Sequence, residues 1–150
     1  MADQSFWPDE FGETQIVAPV TLLRQQAAQL GQKTRGMVEA QVGSMTEGHP
    51  LYDAISKATG RPFFRHSFKI VAPSLDGYTY ELFTIRHGID LYPVQIVPGS
   101  FSGARPELQT EEDLLEWLKG VLGSDRTKRI VGSLLAQIRQ SPGPLRTLRV

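Results

Sequence analysis

Cysteine is absent from this chain of 150 residues. Without thiol groups the protein has no disulfide scaffold, no thiolate zinc site and no cysteine nucleophile. The absence also fits a reducing compartment, where disulfides are rare. A single domain of this length can bury a sizeable apolar core. We therefore expect a globular domain, and we expect no cofactor.

Long apolar runs are absent as well. No segment approaches the roughly 20 apolar residues that are needed to span a bilayer. Residues 1–13 contain neither the basic region nor the apolar run of a secretory signal. We therefore expect a cytoplasmic protein with no membrane partner.

The sequence has no net charge, because 16 acidic residues balance 16 basic ones. The charges are nevertheless unevenly placed. Residues 1–15 contain four acids and no base, whereas residues 124–150 contain a single acid and six bases, which are Arg126, Lys128, Arg129, Arg139, Arg146 and Arg149. Such asymmetry indicates either an interaction surface or two solvated ends that neutralise each other.

Residues 1–18 form an N-terminal arm in this interpretation. Pro8 and Gly12 interrupt any helical or strand periodicity, whereas Phe6, Trp7 and Phe11 are too apolar for a fully solvated tail. Such aromatic residues either fold back onto the domain or insert into a partner.

Three segments have the apolar spacing of amphipathic helices. The first spans residues 19–34, with a stripe formed by Val20, Leu23, Ala27 and Leu30. The second follows a capping Thr110 and buries Leu114, Leu115, Leu118, Val121 and Leu122. The third follows a capping Ser124 and buries Ile130, Val131, Leu134, Leu135 and Ile138. Residues 141–144 end this helix and leave a flexible basic tail, 141–150.

Strands are predicted between the first and second helices. Residues 38–42 alternate in polarity, and residues 43–62 form a long connection with a short helix at 51–58. Phe63–Ala72 and Tyr78–His87 form a hairpin, with Asp76 and Gly77 as its two-residue type I′ turn. Residues 92–97 form a further strand, which Pro93 places at an edge.

This order of elements predicts an α+β fold of two layers. An antiparallel sheet of about four strands is covered by one N-terminal helix and two C-terminal helices. The domain spans residues 19–140, between the arm and the tail.

The hairpin brings two histidines within reach of each other. A two-residue turn places His66 directly opposite His87, with Cβ atoms roughly 5 Å apart, whereas a four-residue turn places it opposite Ile85. The pair is either a ligand, metal or acid–base site or a pair of hydrogen-bonded imidazoles. A zinc site normally requires three or four protein ligands, and nothing holds Glu81 or Asp90 beside both rings. We therefore predict no metal site.

Other catalytic signatures are missing. The chain has no Gly-x-Ser-x-Gly elbow, and the Gly-containing residues 99–103 include no lysine of a phosphate loop. The acids at 111–116 are explained by the start of a helix, whose dipole favours them. No catalytic residue is predicted.

Three functions remain open. The first is a non-catalytic protein-interaction or accessory module that forms a homodimer, with the partner-binding residues Phe6, Trp7, Phe11, Arg126, Lys128 and Arg129. An exposed strand at 92–97 would give it a symmetric contact. The second is a nucleic-acid-binding domain that uses the basic last helix and tail. The third is a small enzyme or ligand-binding protein with a pocket lined by His66 or His87.

Overall fold

The computed structural model describes residues 4–12, 15–47, 62–97 and 107–140. Within these ranges lie three helices, α1 (Pro19–Lys33), α2 (Glu111–Leu122) and α3 (Asp125–Gln140). The same ranges contain five strands, β1 (Glu39–Glu47), β2 (Phe63–Ala72), β3 (Tyr78–His87), β4 (Val94–Ile96) and β5 (Glu107–Leu108). The predicted α+β class and order of elements are confirmed, with five strands where about four were expected.

The strands form one antiparallel sheet in which each strand pairs with the next in the chain, in the order β1-β2-β3-β4-β5. Side chains alternate between its two faces. Phe68 and Ile70 of β2 and Ile85 of β3 are buried in the core, together with side chains from all three helices. Lys69 lies on the opposite face, where it pairs with Glu81. The helices therefore cover one face of the sheet.

The connection between β2 and β3 differs from the predicted two-residue turn. It spans residues 73–77, and Pro73–Leu75 form a single turn of 3-10 helix. Asp76 and Gly77 then have φ values of 59° and 72°, the positive φ that favours Gly and Asp at such positions. The turn prediction is wrong because Pro73 favours a helical turn, which also buries Leu75 in the core.

A β-bulge in β3 adds a second shift of register. Phe68 pairs with Phe83, but the next residue of β2, Lys69, pairs with Glu81. Leu82 is the extra residue, and both Leu82 and Phe83 are buried. As a result, His66 lies opposite Ile85, and the predicted direct opposition of His66 and His87 is wrong.

The other strands also differ from the prediction. β1 continues to Glu47 instead of ending at 42, and the helix predicted at 51–58 lies outside the described residues. β4 covers only Val94–Ile96, and β5 pairs with it in a region where no strand was predicted. β4 is therefore not an edge, and the predicted symmetric contact through this strand is wrong. A strand of two residues has no periodicity by which the sequence could reveal it.

The helix ends agree with the sequence. α1 ends at Lys33, one residue before the predicted end, and Gly36 follows with φ +80°. The Thr110 hydroxyl accepts a hydrogen bond from the backbone N–H of Asp113 at 3.1 Å, and Ser124 Oγ accepts one from Thr127 at 3.2 Å. No helix in the described ranges has the length and apolarity to cross a membrane.

One residue of α2 was assigned to the wrong face. Leu115, which we predicted to be buried, is exposed, whereas Trp117 is buried and packs edge-on against Phe83, with ring centroids 4.9 Å apart. The T-shaped contact with Phe83 favours the buried position of the Trp117 indole, because aromatic pairs prefer this geometry.

Gly120 provides a test of the helix assignment. It lies inside α2, and no atom lies within 4 Å of a Cβ added there. We expect Gly120→Ala to raise the free energy of unfolding by roughly 0.5–1 kcal/mol, because alanine loses less backbone entropy in a helix. Urea denaturation measures the change.

Gly77→Ala is the matched control. No atom lies within 4 Å of its added Cβ either, but its φ is +72°. We expect this variant to lose roughly 1–2 kcal/mol. Equal effects of the two substitutions would contradict the described backbone.

Candidate functional site

A buried pair of histidines lies on the helix-covered face of the sheet. His66 is in β2 and His87 is the last residue of β3, so the two are diagonal neighbours across the ladder. Their Nε2 atoms are 3.1 Å apart, within hydrogen-bonding distance. The side chains are 5% and 4% exposed. The structure thus brings the two histidine rings together, as the sequence predicted. It does so as diagonal neighbours and not as the directly opposed pair that a two-residue turn would give.

The hydrogen bonds of the pair have a fixed direction. The carbonyl oxygen of Gly88 can only accept, so His87 Nδ1, at 2.7 Å, carries a proton and donates to it. In a neutral imidazole, His87 Nε2 is then an acceptor, and His66 Nε2 donates to it. His66 Nδ1 in turn accepts from the hydroxyl of Ser44 at 2.8 Å. Every nitrogen of the buried pair therefore has a partner.

Burial keeps both rings neutral near pH 7. Desolvation is the main cause that lowers the pKa of His66 from 6.5 to about 4, and electrostatic interactions with His87 and Arg24 add to the effect. Desolvation also lowers the pKa of His87, against the opposing effect of the hydrogen bond to Gly88.

His87 lines a cavity of about 530 Å³ at this end of the sheet. Phe64 stacks on His87 with ring centroids 5.4 Å apart, and Tyr92 lies in the same lining. The size lies within the range of small-ligand pockets, roughly 300–1,000 Å³. His87 of the pair therefore borders a space that a small molecule or ion can enter.

Two hydrogen bonds fix the base of the arm beside this cavity. Tyr92 Oη donates to the carbonyl oxygen of Val17 at 3.1 Å, and the Val17 N–H donates to Glu111 Oε1 at 3.0 Å. Burial and the nearby acids Glu111 and Glu112 raise the pKa of Tyr92 to about 12, so its hydroxyl remains a donor.

The hydrogen bonds link Ser44 to His66 and His66 to His87. This is the order of groups in a nucleophilic active site, where a base activates the nucleophile and a third group orients the base. A general base works best with a pKa near the operating pH, and a pKa of about 4 makes His66 a weak base at pH 7. The arrangement thus favours binding through neutral nitrogens over proton transfer. Ser44 was missed in the sequence because it falls in the predicted long connection.

The N-terminal arm is the second feature. Phe6, Trp7 and Phe11 are 91%, 76% and 76% exposed. Trp7 and Phe11 contact each other, with ring centroids 6.1 Å apart. The acids Asp9 and Glu10 lie between them in the chain and are exposed. In the structure these aromatic side chains do not pack onto the domain.

An apolar groove lies between α1 and α3, with a volume of about 410 Å³. Its floor is formed by Phe68 and Ile70 of the sheet, and its walls are apolar side chains of the helices, among them Leu30, Val131 and Leu135. Two exposed bases, Lys33 and Lys128, also line it. Helical periodicity identified the apolar residues but not the gap between the helices.

The bases of α3 do not form one patch among the described residues. Arg126 donates to the Tyr80 hydroxyl at 2.9 Å, and Arg129 lines a separate cavity with Tyr80. Lys128 instead lines the groove. The tail bases Arg146 and Arg149 lie outside the described residues.

Comparison with known proteins gives no match to a family model, to a curated protein or to a solved structure. The proposals below therefore rest on the contacts described above.

The low pKa values predict how stability depends on pH. Between about pH 4 and pH 6.5 the unfolded chain binds a proton at His66 that the folded chain does not, so stability falls as the pH decreases through this window. We expect His66 to contribute a loss of up to about 3 kcal/mol, which is complete below about pH 4. Urea denaturation of the metal-free protein across the window measures it.

The His66→Gln variant is the control, because it keeps a polar side chain but does not titrate. We expect its stability to change less between pH 6.5 and pH 4 than that of the wild type. An identical slope in both proteins would contradict the buried neutral pair.

Proposed function

We propose that this protein is a small protein-interaction module that forms a homodimer, in which each chain places its aromatic arm in the groove of the other. The observation that carries the proposal is the coexistence of an exposed aromatic arm and an apolar groove in one chain. The cytoplasmic location expected from the sequence belongs to the same proposal.

Apolar area supports the arm as the contacting segment. An aromatic side chain can bury about 150–250 Å², so three of them in each of two arms bury on the order of 900–1,500 Å² of arm surface. The grooves contribute further area. A stable interface buries about 1,200–2,000 Å² in total, so reciprocal docking meets this requirement.

Charge supports the same pairing. The exposed acids Asp9 and Glu10 lie between Trp7 and Phe11 in the arm, and Lys33 and Lys128 line the groove. Opposite charges at the rim of an interface steer association and fix its register. This accounts for part of the charge asymmetry along the chain.

A second copy is favoured over the chain's own arm. The base of the arm is held at Val17, beside the start of α1, whereas the groove begins at Gln26, about 10 Å further along this helix. An arm that docked in its own groove would have to fold back along α1. In a symmetric pair the same contact forms twice, which doubles the buried area.

The nucleic-acid alternative has less support. Lys128 and Arg129 line different cavities, and Arg126 already donates to Tyr80. A patch for a phosphate backbone would require these bases to face one way.

Analytical ultracentrifugation over a concentration series tests the homodimer. We expect the wild type to dimerise and Trp7→Ala/Phe11→Ala to raise the dissociation constant about tenfold or more, because truncated aromatic anchors typically cost over 1 kcal/mol each. Met45→Ala is the matched control, since Met45 is a large exposed apolar residue on the sheet. We expect it to leave the dissociation constant unchanged.

The groove is tested by filling it. Gly132 lines the groove, and nothing lies within 4 Å of a Cβ added there. Gly132→Leu therefore places a side chain in the groove while improving helix propensity, and we expect a weaker dimer of a stable fold.

Charge reversal tests which charged residues pair across the dimer interface. We expect Lys33→Glu/Lys128→Glu to weaken the dimer and Asp9→Lys/Glu10→Lys to restore it when both pairs are reversed in one chain. A wild type that stays monomeric at all concentrations would overturn the proposal. A dimer unaffected by the arm and groove variants would overturn it as well.

A further inference from the structure

We propose that His66 and His87 form a binding site for a divalent first-row transition metal ion, with Cu²⁺ bound more tightly than Zn²⁺. This inference goes beyond the interaction module and is independent of it. It rests on the convergence of two imidazole nitrogens beside the cavity at the end of the sheet.

The distance between the nitrogens suits a shared ion. Imidazole nitrogens bind zinc at about 2.0–2.1 Å, so two of them at a tetrahedral angle are about 3.3 Å apart. The Nε2 atoms of His66 and His87 are 3.1 Å apart. An ion at this position therefore requires only a small adjustment of either ring. His87 lines the cavity, so water or a small ligand can occupy the remaining coordination positions.

The groups behind the rings fit the outer shell of a metal site. A histidine that binds a metal through one nitrogen usually donates its other N–H to a fixed acceptor. His87 Nδ1 already donates to the carbonyl oxygen of Gly88 at 2.7 Å. His66 Nδ1 lies 2.8 Å from Ser44 Oγ, which accepts a hydrogen bond as readily as it donates one.

The proton balance of binding follows from these contacts. In the metal-free pair, His66 carries its proton on Nε2 and His87 carries its proton on Nδ1. When both Nε2 atoms bind the ion, the His66 proton moves to Nδ1 and is donated to Ser44. Both rings remain neutral, so the imidazoles release no proton when the ion binds.

The ligand set selects the class of ion. Imidazole suits copper, nickel and zinc, and affinity for copper exceeds that for zinc. Calcium and magnesium prefer oxygen ligands. Within the described residues no group of three or more potential ligands converges, so we expect moderate affinity. Arg24, whose positive charge acts on His66, opposes binding, and Arg24→Gln is expected to tighten it.

Calorimetric titration of the intact metal-free chain at pH 7 tests the site. We expect one ion of Cu²⁺ or Zn²⁺ per chain and no binding of Mg²⁺ or Ca²⁺. In NMR spectra of ¹⁵N-labelled wild type, Zn²⁺ is expected to shift the Nε2 resonances of His66 and His87 and to convert the His66 tautomer.

Variants locate the ion. We expect His66→Phe and His87→Phe, which keep a ring at each position, to lower the affinity at least tenfold. Ser44→Ala is expected to weaken it about 10–100-fold, as loss of an outer-shell partner does. Glu81→Gln is the control, because it removes a potential metal ligand on the opposite face of the sheet, and we expect it to bind as the wild type does. Thermal unfolding checks the fold of each variant.

Two results would overturn the proposal. One is a wild-type protein that shows neither heat nor Nε2 shifts with millimolar Zn²⁺, which would leave the pair as hydrogen-bonded imidazoles only. The other is equal affinity of the wild type and a folded His66→Phe/His87→Phe double variant, which would place the bound ion elsewhere. The oligomeric state is not a readout, so failure here leaves the homodimer proposal unaffected.

Discussion

The pairing of β2 with β3 is the interaction on which the two candidate sites depend. Its buried face supplies Phe68 and Ile70 to the floor of the groove and His66 and His87 to the pair. The bulge at Leu82 sets which residues oppose each other beyond it. A shift of one residue would turn every later side chain of β3 to the other face, and His87 would lose its contact with His66.

The histidine pair shows how a polar group is accommodated in an apolar layer. An unpaired buried imidazole would be destabilising. Here a series of three hydrogen bonds, from the Ser44 hydroxyl through both rings to the carbonyl oxygen of Gly88, gives every ring nitrogen a partner. The low pKa of His66 follows from the same burial, because a charged ring would lose its hydration. Neutrality is also the condition under which nitrogen lone pairs bind metals.

The positions of the helices determine where the groove and the arm lie. α1 and α3 lie over the sheet with an apolar gap between them, and Gly132 adds no side chain to fill it. The arm begins at the other end of α1, where Tyr92 and Glu111 hold Val17. Its aromatic residues are therefore presented away from the domain, which is unusual for side chains of this size.

The sequence by itself determined the helices, their caps and the two strands of the hairpin, as Thr110, Ser124 and the limits of Phe63–Ala72 show. It also marked Phe6, Trp7 and Phe11 as unusual. Only the tertiary structure decided the register at His66, the addition of β5, the exposure of Leu115 and the groove between α1 and α3. Periodicity and capping arise between residues that are close in the chain, whereas register and convergence depend on a bulge and on packing between distant segments.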